Sequence, residues 1–182
     1  MLSKQRVVVV GNGMVGHHFV QQLVSQNQAD EQFEITVLSG EDRLAYDRVQ
    51  LSSFFKGKTA DDLALTCNKT YDDWQVRFHT HSKVVDINRD MQTVTTAKGE
   101  LFEYDKLVLA TGSFPFVPPI PGKDREHCLV YRTINDLHAI KNSAHGSKVG
   151  VVIGGGLLGL EAANALKQLG LHTHVIEFAP QL

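Results

Sequence analysis

This sequence has few cysteines, no net basic charge and no long apolar run. Its 182 residues include two cysteines, Cys67 and Cys128, which are too far apart for a C-x-x-C, zinc or iron–sulfur spacing. We therefore expect ordinary reduced thiols in a cytoplasmic protein. The net charge of −2 does not favour nucleic acid or an anionic membrane as a partner.

No apolar run reaches the roughly 18 residues that a transmembrane helix needs, so we expect no membrane span. The N-terminal run Val7–Val10 is short and leads directly into glycine, without the cleavage site of a signal peptide. His79 and His81 share one face of a predicted strand, but no carboxylate or cysteine cluster accompanies them. The sequence therefore predicts no metal site.

Two glycine motifs are the strongest signals present. The valines Val7–Val10 run into G-x-G-x-x-G at Gly11–Gly16, and apolar residues at helical spacing follow. The pattern recurs where Val149–Ile153 enters Gly154–Gly159. A buried strand, a glycine turn and a helix N-terminus together make a site for a pyrophosphate. One such motif can also be a tight turn without a ligand, whereas two copies predict two dinucleotide sites.

An acidic residue at the end of the second strand of such a unit usually binds the adenosine ribose. Glu177 has this place in the second unit, about 20 residues beyond the glycine turn. Its charge repels a 2′-phosphate, which favours NADH over NADPH. The first unit has Ser39 instead, and Glu41 is the nearest carboxylate that can reach the ribose. The alternative is that Glu41 and Asp42 form a solvated loop cluster.

The segment between the two motifs adds candidate phosphate contacts and an inserted sheet. Arg48 can pair a phosphate with two hydrogen bonds and Ser52 can donate another; without the surrounding motifs, a surface salt bridge for Arg48 and a helix cap for Ser52 are the favoured alternatives. Short alternating runs over 82–104 predict an antiparallel β-meander. The next buried strand ends in Ala110-Thr111-Gly112, small residues that let a ligand approach the backbone closely.

A connector rich in proline, Phe114–Gly122, marks the predicted domain boundary. We predict an α/β fold, with a Rossmann-like domain at 1–120 that contains the meander. The first part of a second Rossmann-like domain follows at 121–182. It begins with a helix that Thr133 caps, with Asp136 in the first turn, and the first βαβ unit of the domain comes after this helix. Since a parallel sheet needs more strands than this second domain has, we expect a truncated chain.

Together these stretches resemble the pyridine nucleotide–disulfide oxidoreductase superfamily, and within it the N-terminal region of the large subunits of NAD(P)H-dependent nitrite reductases. The resemblance covers the whole chain, and it lies in the two glycine motifs, in Tyr46–Ser53 and in Ala110–Ser113. The stretches Ala45–Phe55, Val130–Asp136 and His174–Pro180 are similar to the nitrite reductase branch in particular.

The resemblance implies that the first unit binds FAD and the second binds NADH. It implies FAD contacts at Gly11, Gly13, Met14, Val15, Gly16, Ser39, Glu41, Arg48, Ser52, Val84, Ala110, Thr111 and Gly112. It implies NADH contacts at Gly154, Gly156, Leu157, Leu158, Gly159 and Glu177. In this family a hydride passes from NADH to the flavin, and iron–sulfur and sirohaem centres in later domains reduce nitrite to ammonium. A small subunit is a further implied partner, and no side chain of this chain is implied as catalytic.

The chain also departs from its relatives. Many related flavin reductases carry lysine at the position of Ser53, and we expect the segment that completes the FAD domain to be missing. The nearest alternatives are a ferredoxin- or rubredoxin-type reductase and an NADH oxidase. The oxidases and the coenzyme A disulfide reductases use a redox cysteine near Ser52, where this chain has none before Cys67. The alternative outside the enzymes is a catalytically silent fragment that binds nucleotides.

Overall fold

The computed structural model describes residues 3–181 and contains two compact units, each formed by two pieces of the chain. The first unit comprises Met1–Asp47 and Ala64–Ser113, and the second comprises Arg48–Leu63 and Phe114–Leu182. The segment 48–63 thus belongs with the second glycine motif. The domain boundary at residue 120 remains a prediction. Residues 1, 2 and 182, which the predicted domains 1–120 and 121–182 include, lie outside the described residues.

The first unit is built on a four-stranded parallel sheet. Its strands are β1 (Gln5–Val10), β2 (Phe33–Leu38), β3 (Arg77–His79) and β7 (Lys106–Leu109). They lie in the order β3-β2-β1-β7, and all three pairings are parallel. Because the strand order reverses between β1 and β7, the crevice at their carboxyl ends is the ligand-binding place of an open α/β sheet.

The valines of β1 are buried on both faces of this sheet, at no more than 7% exposure. Val7 and Val9 pack with residues of α1 (Met14–Val24) and α3 (Asn68–Asp73) on one face. A short helix, α2 (Ala29–Gln32), lies between α1 and β2 along the chain. Val8 and Val10 pack with Val94 on the other face. Burial on both faces explains why β1 is a continuous apolar run instead of an alternating one.

The predicted meander covers the second face. Its strands are β4 (Val84–Asn88), β5 (Thr93–Thr96) and β6 (Leu101–Glu103), paired antiparallel in that order. Val94, at the centre of the meander, is fully buried, and Tyr104 joins the same cluster. The predicted α/β class is therefore confirmed.

The second unit contains one βαβ arrangement. Its elements are the 3-10 helices Leu51–Lys56 and Asp61–Leu63, α4 (Ile134–Ala144), β8 (Val149–Ile153), α5 (Leu157–Gln168) and β9 (His172–Ile176). Strands β8 and β9 pair in parallel. The predicted cap of α4 is confirmed, because Thr133 accepts from the Asp136 N–H and the Asp136 carboxylate accepts from the Thr133 N–H.

No helix within residues 3–181 combines the length and the apolar character that crossing a bilayer requires. In the same part of the chain, histidine, cysteine and carboxylate side chains form no group of three or more that is placed to hold a metal ion. The His79 ring packs edge-on against Phe102, with 5.0 Å between ring centroids. His79 therefore has a packing role in the first unit.

Candidate functional site

The first glycine turn follows the carboxyl end of β1, beside the reversal in strand order. The Gly11 N–H donates to the Leu38 carbonyl at the end of β2 (2.8 Å), and Gly11 has a φ of +103°. A Cβ on Gly11 would lie 2.2 Å from the carbonyl oxygen of Ala110, just beyond β7. This corner therefore admits only glycine, and it lies where β1, β2 and β7 all end.

Gly16 seats helix α1 directly on the turn, because a Cβ there would lie 2.1 Å from the Gly11 carbonyl oxygen. Gly13 is the N-cap of α1 and has no side chain to satisfy the first N–H groups of the helix. Met14 and Val15, in the first helical turn, are exposed. The helix thus begins at exposed residues without a capping side chain, and the positive end of its dipole lies at the turn, which is an arrangement that binds phosphate.

The residues beyond β7 border the same corner. The Ala110 N–H donates to the Val10 carbonyl at 2.8 Å, which continues the strand pairing by one step. Thr111 and Gly112 are exposed, and Gly112 has a φ of +70°. The structure therefore brings the predicted Ala110-Thr111-Gly112 contacts to the first glycine turn.

Ser39 and Glu41, predicted at the ribose, lie in the loop after β2. Ser39 is 5% exposed, and its hydroxyl accepts from the Glu41 N–H at 3.2 Å. Its backbone bonds the His79 carbonyl (2.8 Å) and the Ser82 N–H (2.7 Å). The Glu41 carboxylate accepts from the Tyr46 hydroxyl at 2.8 Å. Ser39 thus stiffens the loop, and Glu41 supplies a carboxylate that a buried tyrosine orients.

Val84, the predicted adenine contact, is the first residue of β4 and is half-buried. It packs against the cluster that contains Val10 and Leu38, the last residues of β1 and β2. The pairing register of β4 with β5 shifts between Val84 and Asp86. The meander therefore places Val84 on the same cluster as the strand ends that carry the glycine turn and the Ser39 loop.

Arg48 and Ser52, the predicted phosphate contacts of the segment 48–63, lie in the second unit. The Arg48 Nη1 donates to the Arg132 carbonyl oxygen at 3.3 Å. Ser52 is half-buried within the 3-10 helix Leu51–Lys56. The sequence predicts both residues within the domain at 1–120, whereas the structure groups them with α4 and the second glycine turn.

Arg132 is a candidate residue that sequence analysis missed. Its Nε and the hydroxyl of Tyr131 are buried without a hydrogen-bond partner among residues 3–181. Burial, with the charge of Glu161 as a smaller cause, raises the pKa of Tyr131 to about 12. A buried donor is costly to leave unpaired, so the Nε–H group of the Arg132 side chain marks a place for an anion or a water. No spacing in the sequence indicates this burial.

The second glycine turn repeats the geometry of the first. The Gly154 N–H donates to the Ile176 carbonyl at the end of β9 (2.8 Å), and Gly154 has a φ of +109°. A Cβ on Gly159 would lie 1.9 Å from the Gly154 carbonyl oxygen. Gly156 is the N-cap of α5 without a capping side chain, and the next residues, Leu157 and Leu158, are exposed. A second uncapped helix N-terminus is therefore available to a phosphate.

Glu177 follows β9 directly and bonds back to the second turn. Its carboxylate accepts from the N–H of Gly155 and from the N–H of Ala179 (2.8 Å). These two backbone bonds, that from Ala179 first, lower the pKa of Glu177 below its ordinary value. The side chain is therefore ionised at neutral pH, and it lies where the sequence predicted the ribose-binding acid.

A buried network behind the first turn has no sequence motif. The Tyr71 hydroxyl of α3 donates to Asn12 Oδ1 at 2.7 Å and lies 3.0 Å from His17 Nδ1. All three side chains are buried, and the His17 ring stacks on Trp74 with 5.8 Å between centroids. Burial lowers the pKa of His17 and raises that of Tyr71 to about 12. The network is therefore neutral near pH 7.

The chain is similar to known oxidoreductases along its whole length. It is 50% identical over 181 residues to the nitrite reductase (NADH) large subunit of Escherichia coli K12, which covers 100% of this chain and 21% of that protein. It is 39% identical over 176 residues to the assimilatory nitrate reductase electron transfer subunit of Bacillus subtilis, covering 96% of this chain and 23% of that protein. The chain thus spans less than a quarter of the length of these curated relatives.

Solved structures share the fold. A ferredoxin reductase from Rhodopseudomonas palustris superposes with a TM-score of 0.88 at 29% identity, covering 98% of this chain and 44% of that one. The NADH:rubredoxin oxidoreductase of Clostridium acetobutylicum gives 0.82 at 26% identity, covering 95% and 44%. The family described as pyridine nucleotide-disulphide oxidoreductase matches residues 5–182. The chain therefore belongs to the pyridine nucleotide-disulphide oxidoreductase family.

Proposed function

We propose that this chain is the electron-input part of an NADH-dependent reductase, in which FAD receives a hydride from NADH. The observation that carries the proposal is the glycine turn that occurs twice, with the same contact between Gly16 and Gly11 as between Gly159 and Gly154. Two dinucleotide sites suit a reaction with one dinucleotide as donor and another as acceptor. Family membership and the solved neighbours support FAD and NADH as the two cofactors.

We assign FAD to the first turn. Gly11, Gly13 and Gly16 leave a corner without side chains, and the uncapped N–H groups that begin with Met14 and Val15 can bind the two phosphates. Ala110-Thr111-Gly112 borders the corner, so the cofactor can lie against backbone there. When bound, FAD supplies the hydride-accepting chemistry, and the task of the chain is to bind and orient it.

Other side chains complete the FAD assignment. Glu41, oriented by the Tyr46 hydroxyl, takes the adenosine ribose, because Ser39 is buried and carries no carboxylate. Val84 borders the adenine. Arg48 and Ser52 stay predictions as FAD contacts, and both lie in the second unit.

We assign NADH to the second turn, where Gly154, Gly156 and Gly159 form the corner and Leu157 and Leu158 offer the helix N–H groups. The ionised Glu177 carboxylate accepts from the ribose hydroxyls. It also repels a 2′-phosphate, so NADH is preferred to NADPH. The backbone bonds from Gly155 and Ala179 keep this carboxylate charged and fixed in direction.

We further propose that the electrons continue to iron–sulfur and sirohaem centres that reduce nitrite to ammonium. The Escherichia coli relative is a nitrite reductase large subunit, and the Bacillus subtilis relative is an electron transfer subunit. Because the chain spans 21% of the former, we assign those centres to other parts of the full-length protein and a small subunit to its assembly.

Direct reduction of a ferredoxin or rubredoxin is the second candidate function, and the two solved neighbours named above favour it. It uses the same two cofactors and differs in the electron acceptor. A cysteine set with iron–sulfur and sirohaem spacing further along the gene would favour nitrite reduction.

Reconstitution of the purified chain with FAD, followed by anaerobic addition of NADH, tests the proposal. We expect a yellow protein whose visible flavin band bleaches with NADH, and bleaches more slowly with NADPH. Free FAD at the same concentration is the control. A colourless protein after reconstitution, or a yellow protein that NADH does not bleach, would contradict the proposal and favour a catalytically silent nucleotide-binding fragment.

A further inference from the structure

We propose that Tyr71 is a positioning residue for FAD, because its buried hydroxyl fixes Asn12 within the first glycine turn. This inference rests on the proposed assignment of FAD to that turn. Tyr71 is 2% exposed, and its hydroxyl lies 2.7 Å from Asn12 Oδ1 and 3.0 Å from His17 Nδ1. One oxygen atom of α3 thus bonds two residues that are distant from it in the sequence.

The direction of each hydrogen bond follows from proton accounting. The Tyr71 hydroxyl has one proton, which it donates to the Asn12 Oδ1. Its oxygen then accepts from His17, so the proton of the neutral imidazole lies on Nδ1. The chain His17 to Tyr71 to Asn12 therefore runs in one direction and ends on the amide oxygen in the turn.

The hydroxyl joins the two parts that together form the phosphate site. Asn12 lies between Gly11 and Gly13 in the turn. The backbone N–H of His17 donates to the Gly13 carbonyl in the first turn of α1 (2.9 Å). Movement of the turn away from the helix would leave buried polar atoms without partners, which is unfavourable. Tyr71 therefore keeps the turn and the helix N-terminus in the shape that suits a diphosphate.

The hydroxyl also selects which end of the Asn12 amide faces it. Asn12 is 7% exposed, and its Nδ2 has no hydrogen-bond partner within residues 3–181. A hydroxyl that donates to Oδ1 keeps the amide oxygen on its own side. Without the hydroxyl, no hydrogen bond within residues 3–181 distinguishes the two ends, and the oxygen can occupy the NH₂ position in the turn to which we assign an anion. We therefore expect loss of the hydroxyl to weaken FAD binding.

The test compares Tyr71→Phe, Asn12→Ala and the double variant by titration of FAD, followed by fluorescence quenching. Tyr71→Phe retains the ring that packs on Phe78 (5.1 Å between centroids) and removes only the hydroxyl. We expect Tyr71→Phe to weaken FAD binding about tenfold. The double variant should bind FAD no more weakly than Asn12→Ala alone, because both changes remove the same hydrogen bond, the one between Tyr71 and Asn12.

The matched control is Tyr104→Phe, which removes a hydroxyl from another buried tyrosine of the first unit, on the opposite face of the sheet. It should leave FAD binding unchanged.

A second pair of variants replaces His17. His17→Asn keeps an N–H donor near the Tyr71 hydroxyl and should retain FAD affinity, whereas His17→Leu should not. This pair keeps the inference testable if Tyr71→Phe does not fold.

The outcomes separate the inference from the proposed function. A wild-type chain that does not bind FAD overturns the proposed function, and the inference with it. A wild-type chain that binds FAD while Tyr71→Phe binds it equally well overturns the inference alone. Additive losses in the double variant, an equal loss in Tyr104→Phe, or equal binding by the two His17 variants would show a general packing effect and overturn it as well.

Discussion

At the first turn Gly11 has a φ of +103° and donates to a carbonyl at the end of β2, and at the second Gly154 has a φ of +109° and donates to a carbonyl at the end of β9. In both turns a later glycine, Gly16 or Gly159, removes a Cβ that would overlap the turn carbonyl. The backbone of a dinucleotide turn is thus set by glycines and strand ends, and it is the same in both units.

The side chains around the two turns differ. The second turn is braced by an ionised carboxylate, because Glu177 bonds the Gly155 N–H. The first turn has buried Asn12 at the corresponding position, braced by the neutral Tyr71–His17 network, and Ser39 in place of the acid. In the proposed assignment, the glycines make each turn a dinucleotide site, while the neighbouring side chains determine which dinucleotide it takes.

The largest expected effect separates the two sites. Gly16→Ala places a methyl group about 2.1 Å from the Gly11 carbonyl oxygen, which cannot move without the turn. We expect FAD binding to weaken by roughly tenfold to a hundredfold, since overpacking costs roughly 1–3 kcal/mol. Gly159→Ala should retain FAD and slow bleaching by NADH to a similar extent. Parallel FAD titrations and anaerobic bleaching check both.

The control for this pair is Gly99→Ala, since a Cβ at Gly99 meets no atom within 4 Å; its φ of +80° strains an alanine there, so this variant measures backbone strain away from both turns. It should change neither FAD binding nor bleaching. If Gly16→Ala and Gly159→Ala lose the same ligand, the assignment of one cofactor to each turn is wrong.

Removal of the Glu177 charge should alter the choice between NADH and NADPH. Glu177→Gln keeps the size of the side chain, removes the repulsion of a 2′-phosphate and weakens the ribose contact. We expect the ratio of flavin reduction rates with NADH and NADPH to fall about tenfold, corresponding to about 1.4 kcal/mol. Glu41→Gln, in the first unit, should leave that ratio unchanged. A Glu177→Gln ratio equal to that of the wild type would contradict the ribose assignment.

A smaller effect should follow removal of the Tyr46 hydroxyl. Tyr46→Phe removes the hydrogen bond that the Tyr46 hydroxyl donates to the Glu41 carboxylate at 2.8 Å. We expect FAD binding to weaken about threefold to tenfold, as for one hydrogen bond to a charged group. Glu41→Gln should weaken it similarly, as FAD titration can show. Unchanged binding in both variants would support the alternative that Glu41 belongs to a solvated loop cluster.

The smallest effect concerns pH. Backbone hydrogen bonds lower the pKa of Glu177 below its ordinary value of 4.5. A group with a lowered folded-state pKa stabilises the fold above its unfolded pKa, and this contribution is lost as the pH falls through the folded value. The difference in urea midpoint between wild type and Glu177→Gln should therefore shrink below pH 4.5. A difference that is constant from pH 7 to about 3 would contradict this assignment.

Local patterns were sufficient to predict much of this fold. The glycine motifs, the buried valines of β1, the meander and the Thr133 cap each depend on residues near one another in the sequence. The grouping of 48–63 with the second unit was not predictable in this way, because it depends on contacts with residues after 113.

The braces of the turns were only partly predictable. Glu177 follows from its distance to the glycine motif, whereas the bond from Tyr71 to Asn12 joins residues 59 positions apart and follows from no spacing. Arg132 was missed for a similar reason, since burial of its Nε depends on the folded unit. Sequence patterns therefore identify the turns, and the fold is needed to identify what holds them.

The most direct test of one cofactor for each turn is NMR of the chain labelled with ¹⁵N-glycine, titrated separately with FAD and NAD⁺. We predict that FAD shifts the amide signals of Gly11, Gly13 and Gly16, and that NAD⁺ shifts those of Gly154, Gly156 and Gly159. Gly99 should remain unshifted in both titrations. If both ligands shift the same set of glycines, or if neither shifts any, the account is contradicted.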